Sequence, residues 1–359
     1  MTPKQFQNAI LKWFHKHGRK DLPWQQDITP YRVWVSEIML QQTQVSAVIP
    51  YYARFMNSFP TLQTLANAPL EQVLAHWSGL GYYARARNLH KCAQTVQDQY
   101  NGEFPRNLDA LTGLSGIGRS TAGAIASISM GMKASILDGN VKRVLARYHA
   151  VEGWPGRTAV ANKLWQLAET YTPDTQGNLY TQAIMDLGAT LCTRSTPNCH
   201  GCPLKKCCRA HAQGNPQTYP HKKPRQQKPT RSATMLLLEY AGQIYLEQRP
   251  AKGIWGGLWC PPQSDDTQDW LNQRRWRAST IQPLPPLRHT FTHFHLDISP
   301  VWVQLAKAPT QVAKRGVGWY KLRNLNRPRA AQEVGLPAPI VKLAKQLLAL
   351  RAPLLTTTD

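Results

Sequence analysis

The sequence predicts a multidomain chain: an all-α domain over residues 1–213, then a smaller α+β domain over residues 231–350. Three observations lead there. Apolar residues recur at helical spacing through residue 212 or so. A stretch with hardly an aliphatic side chain follows, over residues 214–230. Beyond it, short β-branched and aromatic runs replace the helical period.

Taken in order, "YRVWVSEIMLQQTQVSAVIPYYARFMNSF" (31–59) and "TAVANKLWQLAETY" (158–171) carry apolar stripes broken by Pro and Gly, as helices do. "GNPQTYPHKKPRQQKPTR", from residue 214, is rich in Pro, Lys and Gln and reads as an extended linker over 214–230. "ATMLLLEY", "QIYLEQR" and "LDISPVWVQL" then read as strands, and "APIVKLAKQLLALR" as a late helix before a tail at 351–359. No internal repeat is present. With 359 residues, both domains can bury a real core.

The formal net charge is +23, from 43 Lys and Arg against 20 Asp and Glu. Both parts share it, with +9 in residues 231–359 and +14 in residues 1–230. So broad a basic excess points to a polyanion and steers one in. No polybasic amphipathic helix of the membrane-seeking kind is present, so nucleic acid is the expected partner. The start of the chain lacks an apolar signal segment, and no apolar run reaches the roughly 18 residues of a membrane span. A cytoplasmic protein acting as a single chain is expected.

Five of the seven cysteines fall within "LCTRSTPNCHGCPLKKCCRA" (191–210). Framework disulfides suit small secreted domains, so in a chain of this type the cluster means metal. Cys192, Cys199, Cys202 and Cys208 give C-x6-C-x2-C-x5-C. Structural zinc pairs its thiolates in two short clasps, and here only one clasp exists. The wider spacing suits a cubane iron–sulfur cluster wrapped by one loop, with a zinc knuckle as the alternative. Spacing does not choose between Cys207 and Cys208. Arg194, Lys205, Lys206 and Arg209 surround the run and together could meet several phosphates.

"LTGLSGIGRSTAGAIASISMG" (111–131) sets Gly116 and Gly118 between two helical segments. Glycine permits positive φ and a close backbone approach, and the helix starting near Arg119 aims its free amides at the same place. This suits a helix–hairpin–helix gripping a phosphate. In "ILDGNVKRVLAR", Asp138 precedes another helix, where a capping role is the commonplace reading. Glu37 shares a helix face with Val33, Trp34, Leu40 and Gln41, an apolar stripe where burial would raise its pKa into the range of a general acid. Gln41, Gln42, Thr43 and Gln44 follow, and their polar groups could read base edges.

Together with "SEIMLQQTQV" and "GLGYYARARNLH", these motifs resemble the helix–hairpin–helix DNA glycosylases, and more narrowly the family of adenine DNA glycosylases, over nearly the whole chain. The resemblance implies a [4Fe–4S] cluster on Cys192, Cys199, Cys202 and Cys208, favouring Cys208 over Cys207. It implies double-stranded DNA holding adenine opposite 8-oxoguanine or guanine, with the adenine flipped out and hydrolysed to leave an abasic site. By the same resemblance Glu37 protonates adenine at N7 and Asp138 stabilises the oxocarbenium-like transition state. Tyr82 matches the wedge beside the lesion and Gln42 a residue close to the damaged guanine. Ser120 stands where bifunctional relatives carry a lysine nucleophile, which implies a monofunctional enzyme.

Residues 231–350 resemble the Nudix-like recognition domain that this family appends, opening with "GIWGGLWCPP" (253–262). Nudix hydrolysis needs a Glu-dense helix for Mg²⁺. Here Asp265, Asp266 and Asp269 precede "RRWR" with no Glu cluster, so recognition is expected and hydrolysis is not. The reader implied is Phe291-Thr292-His293, where the family has Phe-Ser-His. Ser115 is a second departure, since the family's hairpin usually has proline there. Two other functions compete. Ser120 and the second domain disfavour a bifunctional pyrimidine glycosylase–lyase; the presence of both Glu37 and Asp138 argues against a non-catalytic iron–sulfur DNA-binding protein.

Overall fold

A computed structural model describes residues 1–224, 227–251, 253–309, 316–325 and 334–351. Two units divide the chain: Met1–Asn67 with Asn88–Arg225, and Ala68–Arg87 with Gln226–Asp359.

The first unit is helical, with α1 (Pro3–His17), α2 (Pro30–Leu40), α3 (Val45–Ser58) and α4 (Leu62–Asn67) before the excursion into the other unit. The short helix α5 (Leu70–Trp77) belongs to that excursion, and the units divide within α6 (Ala84–Gln99). Then come α7 (Leu108–Gly113), α8 (Arg119–Ser129), α9 (Gly139–His149), α10 (Thr158–Tyr171), α11 (Gly177–Thr190) and the short α12 (Arg209–Ala212). A capping box, Thr2 with Gln5, starts α1 by satisfying amides that lack helical partners. Phe6, Ile10 and Phe14 of α1 then bury against Leu145 and Tyr148 of α9, Leu164 of α10 and Leu187 of α11. Each such side chain contributes roughly 1.5–3 kcal/mol of transfer free energy.

Glu37 stands in the last turn of α2, which packs on α8. The helix stops at Leu40 because Gln42 takes a left-handed conformation (φ 56°). Gln41 to Gln44 therefore form the turn into α3.

The segment expected as an extended linker starts as a docked one. Pro216 and Tyr219 are buried, and the Tyr219 carbonyl accepts a 3.0 Å hydrogen bond from Arg147 Nε. One aromatic ring in a Lys- and Gln-rich run suffices to pin the chain there. Residues 225 and 226 lie outside the described residues, and Thr230 already opens the first strand.

The second unit is a mixed seven-stranded sheet: β1 (Thr230–Tyr240), β2 (Gln243–Gln248), β3 (Trp259–Cys260), β4 (Ala278–Pro283), β5 (Leu287–Thr290), β6 (His295–Leu305) and β7 (Val317–Lys321). The path runs β3-β2-β1-β6-β4, with β5 on β6 and β7 on β2. Parallel pairing of β1 with β6, from Thr230↔His295 to Glu239↔Gln304, forms its centre. A parallel pair is buried on both faces, which accounts for the unbroken apolar run Met235–Leu238. The other pairings are antiparallel. Helices α13 (Thr267–Gln273), α14 (Leu322–Leu325) and α15 (Ala338–Arg351) complete it. Arg351 ends α15, and residues 352–359 of the expected tail lie outside the described residues.

Residues Ala68–Arg87, contiguous with the helical domain in sequence, group with this sheet. Helix α5 buries Val73, Leu74 and Trp77, and Glu71 Oε1 accepts a 2.5 Å hydrogen bond from Trp259 Nε1. The hydroxyls of Ser78 and Tyr83 both donate to the Leu336 carbonyl at 3.1 Å. In α13, Asp266 serves as the N-cap, accepting from the Asp269 amide, and Asp269 accepts from Gln273.

Candidate active site and nucleic-acid interface

Glu37 and Asp138 line one pocket of about 160 Å³ in the helical unit. A cavity of roughly 150 Å³ takes a benzene ring, so a flat heterocycle is the right scale of guest. Burial pushes the Glu37 carboxyl up to about 8, and the neighbouring Asp138 carboxylate adds to the shift. Among the described residues none donates a hydrogen bond to Glu37. Asp138 differs. As the N-cap of α9 it accepts from the amides of Asn140 (3.0 Å) and Val141 (2.8 Å) and from Asn140 Nδ2 (2.9 Å). Burial raises its pKa too, while these three donors and the Arg143 charge oppose the rise. The commonplace capping role is compatible with a chemical one, because the same amides that need a cap also favour the ionised carboxylate.

Helix α9 continues from Asp138 to the cysteines. Arg143 bonds Asn140 Oδ1 (2.8 Å), the Gly188 carbonyl (2.6 Å) and the Cys192 carbonyl (2.6 Å). One turn further, Arg147 is 2% exposed and bonds the carbonyls of Thr193 (2.7 Å) and Arg194 (3.1 Å) and the Cys192 Sγ (3.2 Å). Cys192, Cys199, Cys202 and Cys208 line one cavity, walled by Leu187 and Leu204; Cys207 is exposed and does not line it. Among the described residues no three His, Cys, Asp or Glu side chains converge on a single-ion site. Four thiols around one void, with apolar walls and a guanidinium donor at one sulfur, match the needs of a polynuclear thiolate cluster. Arg194, Lys206 and Arg209 of the loop are exposed and Lys205 is half-buried.

In the hairpin, Gly116 adopts φ 80°, and a Cβ there would sit 2.8 Å from Asn88 Cβ. Gly118 does not use the positive φ that glycine permits. It is extended (φ −90°, ψ 171°), with open space where a Cβ would point, and it caps α8 without a side chain. Its backbone is bare toward solvent beside the free amides of α8, a geometry suited to an anion. Ser115 lies in the same turn, whose Ile117 amide bonds the Leu114 carbonyl at 3.1 Å. Ser120 Oγ accepts from the Leu137 amide at 3.0 Å and so ties α8 to the residue before Asp138.

The second unit holds a cleft of about 750 Å³ that brings Tyr82 together with Phe291, Thr292 and His293. Tyr82 is 45% exposed in a left-handed conformation (φ 49°) after Gly79 and Gly81, also at positive φ, whereas Tyr83 is buried. Phe291 to Phe294 form the turn between β5 and β6, closed by the Phe291 amide on the Phe294 carbonyl at 2.9 Å. Thr292 and His293 are exposed, with Thr292 Oγ1 3.1 Å from His293 Nδ1. Phe291 stacks on Phe294 (4.4 Å, 18°). Gln42 is exposed at the α2–α3 turn of the first unit.

Several residues escaped the sequence reading. Arg19, Trp24 and Gln182 also line the Glu37 pocket. Lys228, Arg231 and Trp255 line the cleft of the second unit. Trp255 stands inside the GIWGGLWCPP run with no mark that sets it apart there, and the others come from segments remote in sequence with no motif of their own.

Comparisons with known proteins agree with this architecture. Residues 35–170 match the family described as HhH-GPD superfamily base excision DNA repair protein, and residues 233–346 match the NUDIX domain. The chain is 39% identical to an adenine DNA glycosylase of Buchnera aphidicola subsp. Baizongia pistaciae, over 97% of this chain and 98% of that one. It is 34% identical to the human adenine DNA glycosylase, over 88% of this chain and 70% of that one. Among solved structures, a thermostable thymine-DNA glycosylase superposes with a TM-score of 0.54 at 29% identity, covering 59% of this chain and 97% of that one. Endonuclease III in a non-covalent DNA complex shares the helical fold, with a TM-score of 0.50 at 24% identity over 60% of this chain and 98% of that one. Among the described residues no helix is long and apolar enough to cross a membrane.

Proposed function

Since the chain belongs to the adenine DNA glycosylase family, enzymes of base excision repair that hydrolyse N-glycosyl bonds, we propose that it releases adenine mispaired with 8-oxoguanine or guanine by a two-carboxyl mechanism. The observation that carries this reading is the pocket shared by Glu37, whose burial favours its protonated form, and an amide-held Asp138. Glu37 donates its proton to N7 of the flipped adenine. The bond from sugar C1′ to N9 then breaks, its electron pair leaving with the base. Asp138, ionised, faces the positive charge that develops on the sugar. Water adds to C1′ and gives its proton to the Glu37 carboxylate, which restores the acid and leaves an abasic site.

Ser120 spends its hydroxyl on the Leu137 amide and offers no amine, so the strand stays intact. Cys192, Cys199, Cys202 and Cys208 are the ligands we assign to a [4Fe–4S] cluster, which would fix the basic loop around it for phosphate contact. The Gly116–Gly118 hairpin supplies a further phosphate contact. Tyr82 is assigned as the wedge, Gln42 as a contact near the damaged guanine, and Phe291, Thr292 and His293 as readers of the base opposite adenine. The enzyme acts as a single chain on double-stranded DNA.

The test is cleavage of duplexes carrying A, C, G or T opposite 8-oxoguanine or guanine, with and without alkali. Adenine alone should be released, faster opposite 8-oxoguanine, and strands should break only after alkali. Dominant breakage without alkali, or trapping by borohydride, would establish a lyase. Binding without any base release would establish a non-catalytic DNA-binding protein.

A further inference from the structure

We propose that Trp255 is a positioning residue for reading the base opposite adenine, an inference that rests on assigning Thr292 and His293 to that reading. Trp255 adopts φ 54°, a left-handed conformation that a bulky side chain rarely takes. Such strain persists only where the surroundings enforce it. Here they do. Gly253 (φ 96°) and Gly257 (φ 76°) flank it at positive φ, and a Cβ on Gly256 would lie 2.3 Å from the Ala251 carbonyl oxygen. Arg87 Nη1 donates to the Gly256 carbonyl at 2.9 Å, and the Leu258 amide donates to the Trp255 carbonyl at 3.0 Å.

This loop carries the indole to the recognition turn. Trp255 is 8% exposed and packs against His289 (5.9 Å) and Phe291 (5.7 Å). Phe291 stacks in turn on Phe294, whose ring carries the Arg231 guanidinium at 4.7 Å. Lys228 Nζ donates to the Phe291 carbonyl at 2.9 Å. A continuous row of rings, buttressed by two cations, thus stands behind Thr292 and His293, the two exposed side chains of the turn. Core filling alone calls for no strained backbone, and an aliphatic side chain at relaxed φ would serve it. The indole on a strained loop is explained if the turn must be held at one height over a cleft that also contains Tyr82.

The experiment uses full-length protein with Trp255→Ala, Trp255→Phe and His293→Ala, the last as a check on the underlying reading. Affinities are measured for duplexes with a non-hydrolysable 2′-fluoro adenosine opposite 8-oxoguanine or guanine, alongside melting temperatures. Trp255→Ala should lower the ratio of the two affinities by about tenfold, the scale of one aromatic contact, and Trp255→Phe should restore most of it. If His293→Ala collapses the ratio and Trp255→Ala leaves it intact, the inference about Trp255 fails while the reading stands. If neither changes it, the reading itself fails. An equal loss on both duplexes with a lowered melting temperature would make Trp255 a packing residue only and overturn the proposal.

Discussion

The Asp138 carboxylate lies close enough to Glu37 to add to the burial that lifts the Glu37 carboxyl to about 8. The two are not equivalent, because Asp138 has three N–H donors and no donor among the described residues serves Glu37. Where environment separates two carboxyls in this way, the less solvated one keeps the proton.

A pH profile follows from that asymmetry. Single-turnover adenine release should hold below pH 8 and fall above it as Glu37 ionises, and it should fall again at low pH as Asp138 is neutralised. Glu37→Gln should cost at least roughly 10²–10⁴-fold in base release while DNA affinity changes little, because the acid is lost and the phosphate contacts remain. A rate that rises steadily from pH 7 to 10 would exclude Glu37 as the acid.

Stability carries the same signature with a definite sign. The folded pKa of Glu37 stands above its ordinary 4.5, so the folded state binds the proton more tightly and loses stability as pH rises from 4.5 through about 8. Glu37→Gln removes that loss. Its melting temperature should exceed the wild type's at pH 9 and approach it at pH 5, as calorimetry can record.

The two hairpin glycines should separate folding from binding. Gly116→Ala places a Cβ 2.8 Å from Asn88 Cβ at φ 80°, and should destabilise the protein by more than about 1 kcal/mol. Gly118→Ala meets no neighbour and needs no positive φ, so its denaturation midpoint should stay near the wild type's. Affinity for any duplex should nevertheless drop, because the new methyl stands where a phosphate would approach.

Ser120→Ala leaves the Leu137 amide without its acceptor and should cost about 1–2 kcal/mol in urea denaturation. Base release should persist, and strands should still require alkali to break. Complete loss of base release in a stably folded variant would give Ser120 a chemical part that this bond does not explain.

For the cysteine loop, purified protein should be brown, with iron and sulfide near four each per chain on the cubane assignment. Cys207→Ser should keep the colour, since Cys207 is exposed and outside the shared cavity, whereas Cys199→Ser should bleach it. Arg147→Met should lower both iron content and melting temperature, because three loop contacts and the Tyr219 carbonyl depend on one buried guanidinium. Stoichiometric zinc without sulfide would reject the cluster.

Local pattern alone determined much of this protein: the ends of α10 and α15, the start of α8 at Arg119, and the change from helical to strand period near residue 230. Periodicity, capping chemistry and clustered cysteines act over a few residues and so can be read in order along the chain. Conformation at single residues was less legible. Gly116 takes the positive φ that glycine permits while Gly118 is extended, and Tyr219 is docked where a linker was expected. Only tertiary structure decided that Glu37 and Asp138 share a pocket, that Tyr82 meets Phe291, Thr292 and His293 in one cleft, and that Trp255 backs them. Such contacts join segments far apart in the chain, and their geometry follows from which faces pack together, a quantity that no local spacing encodes.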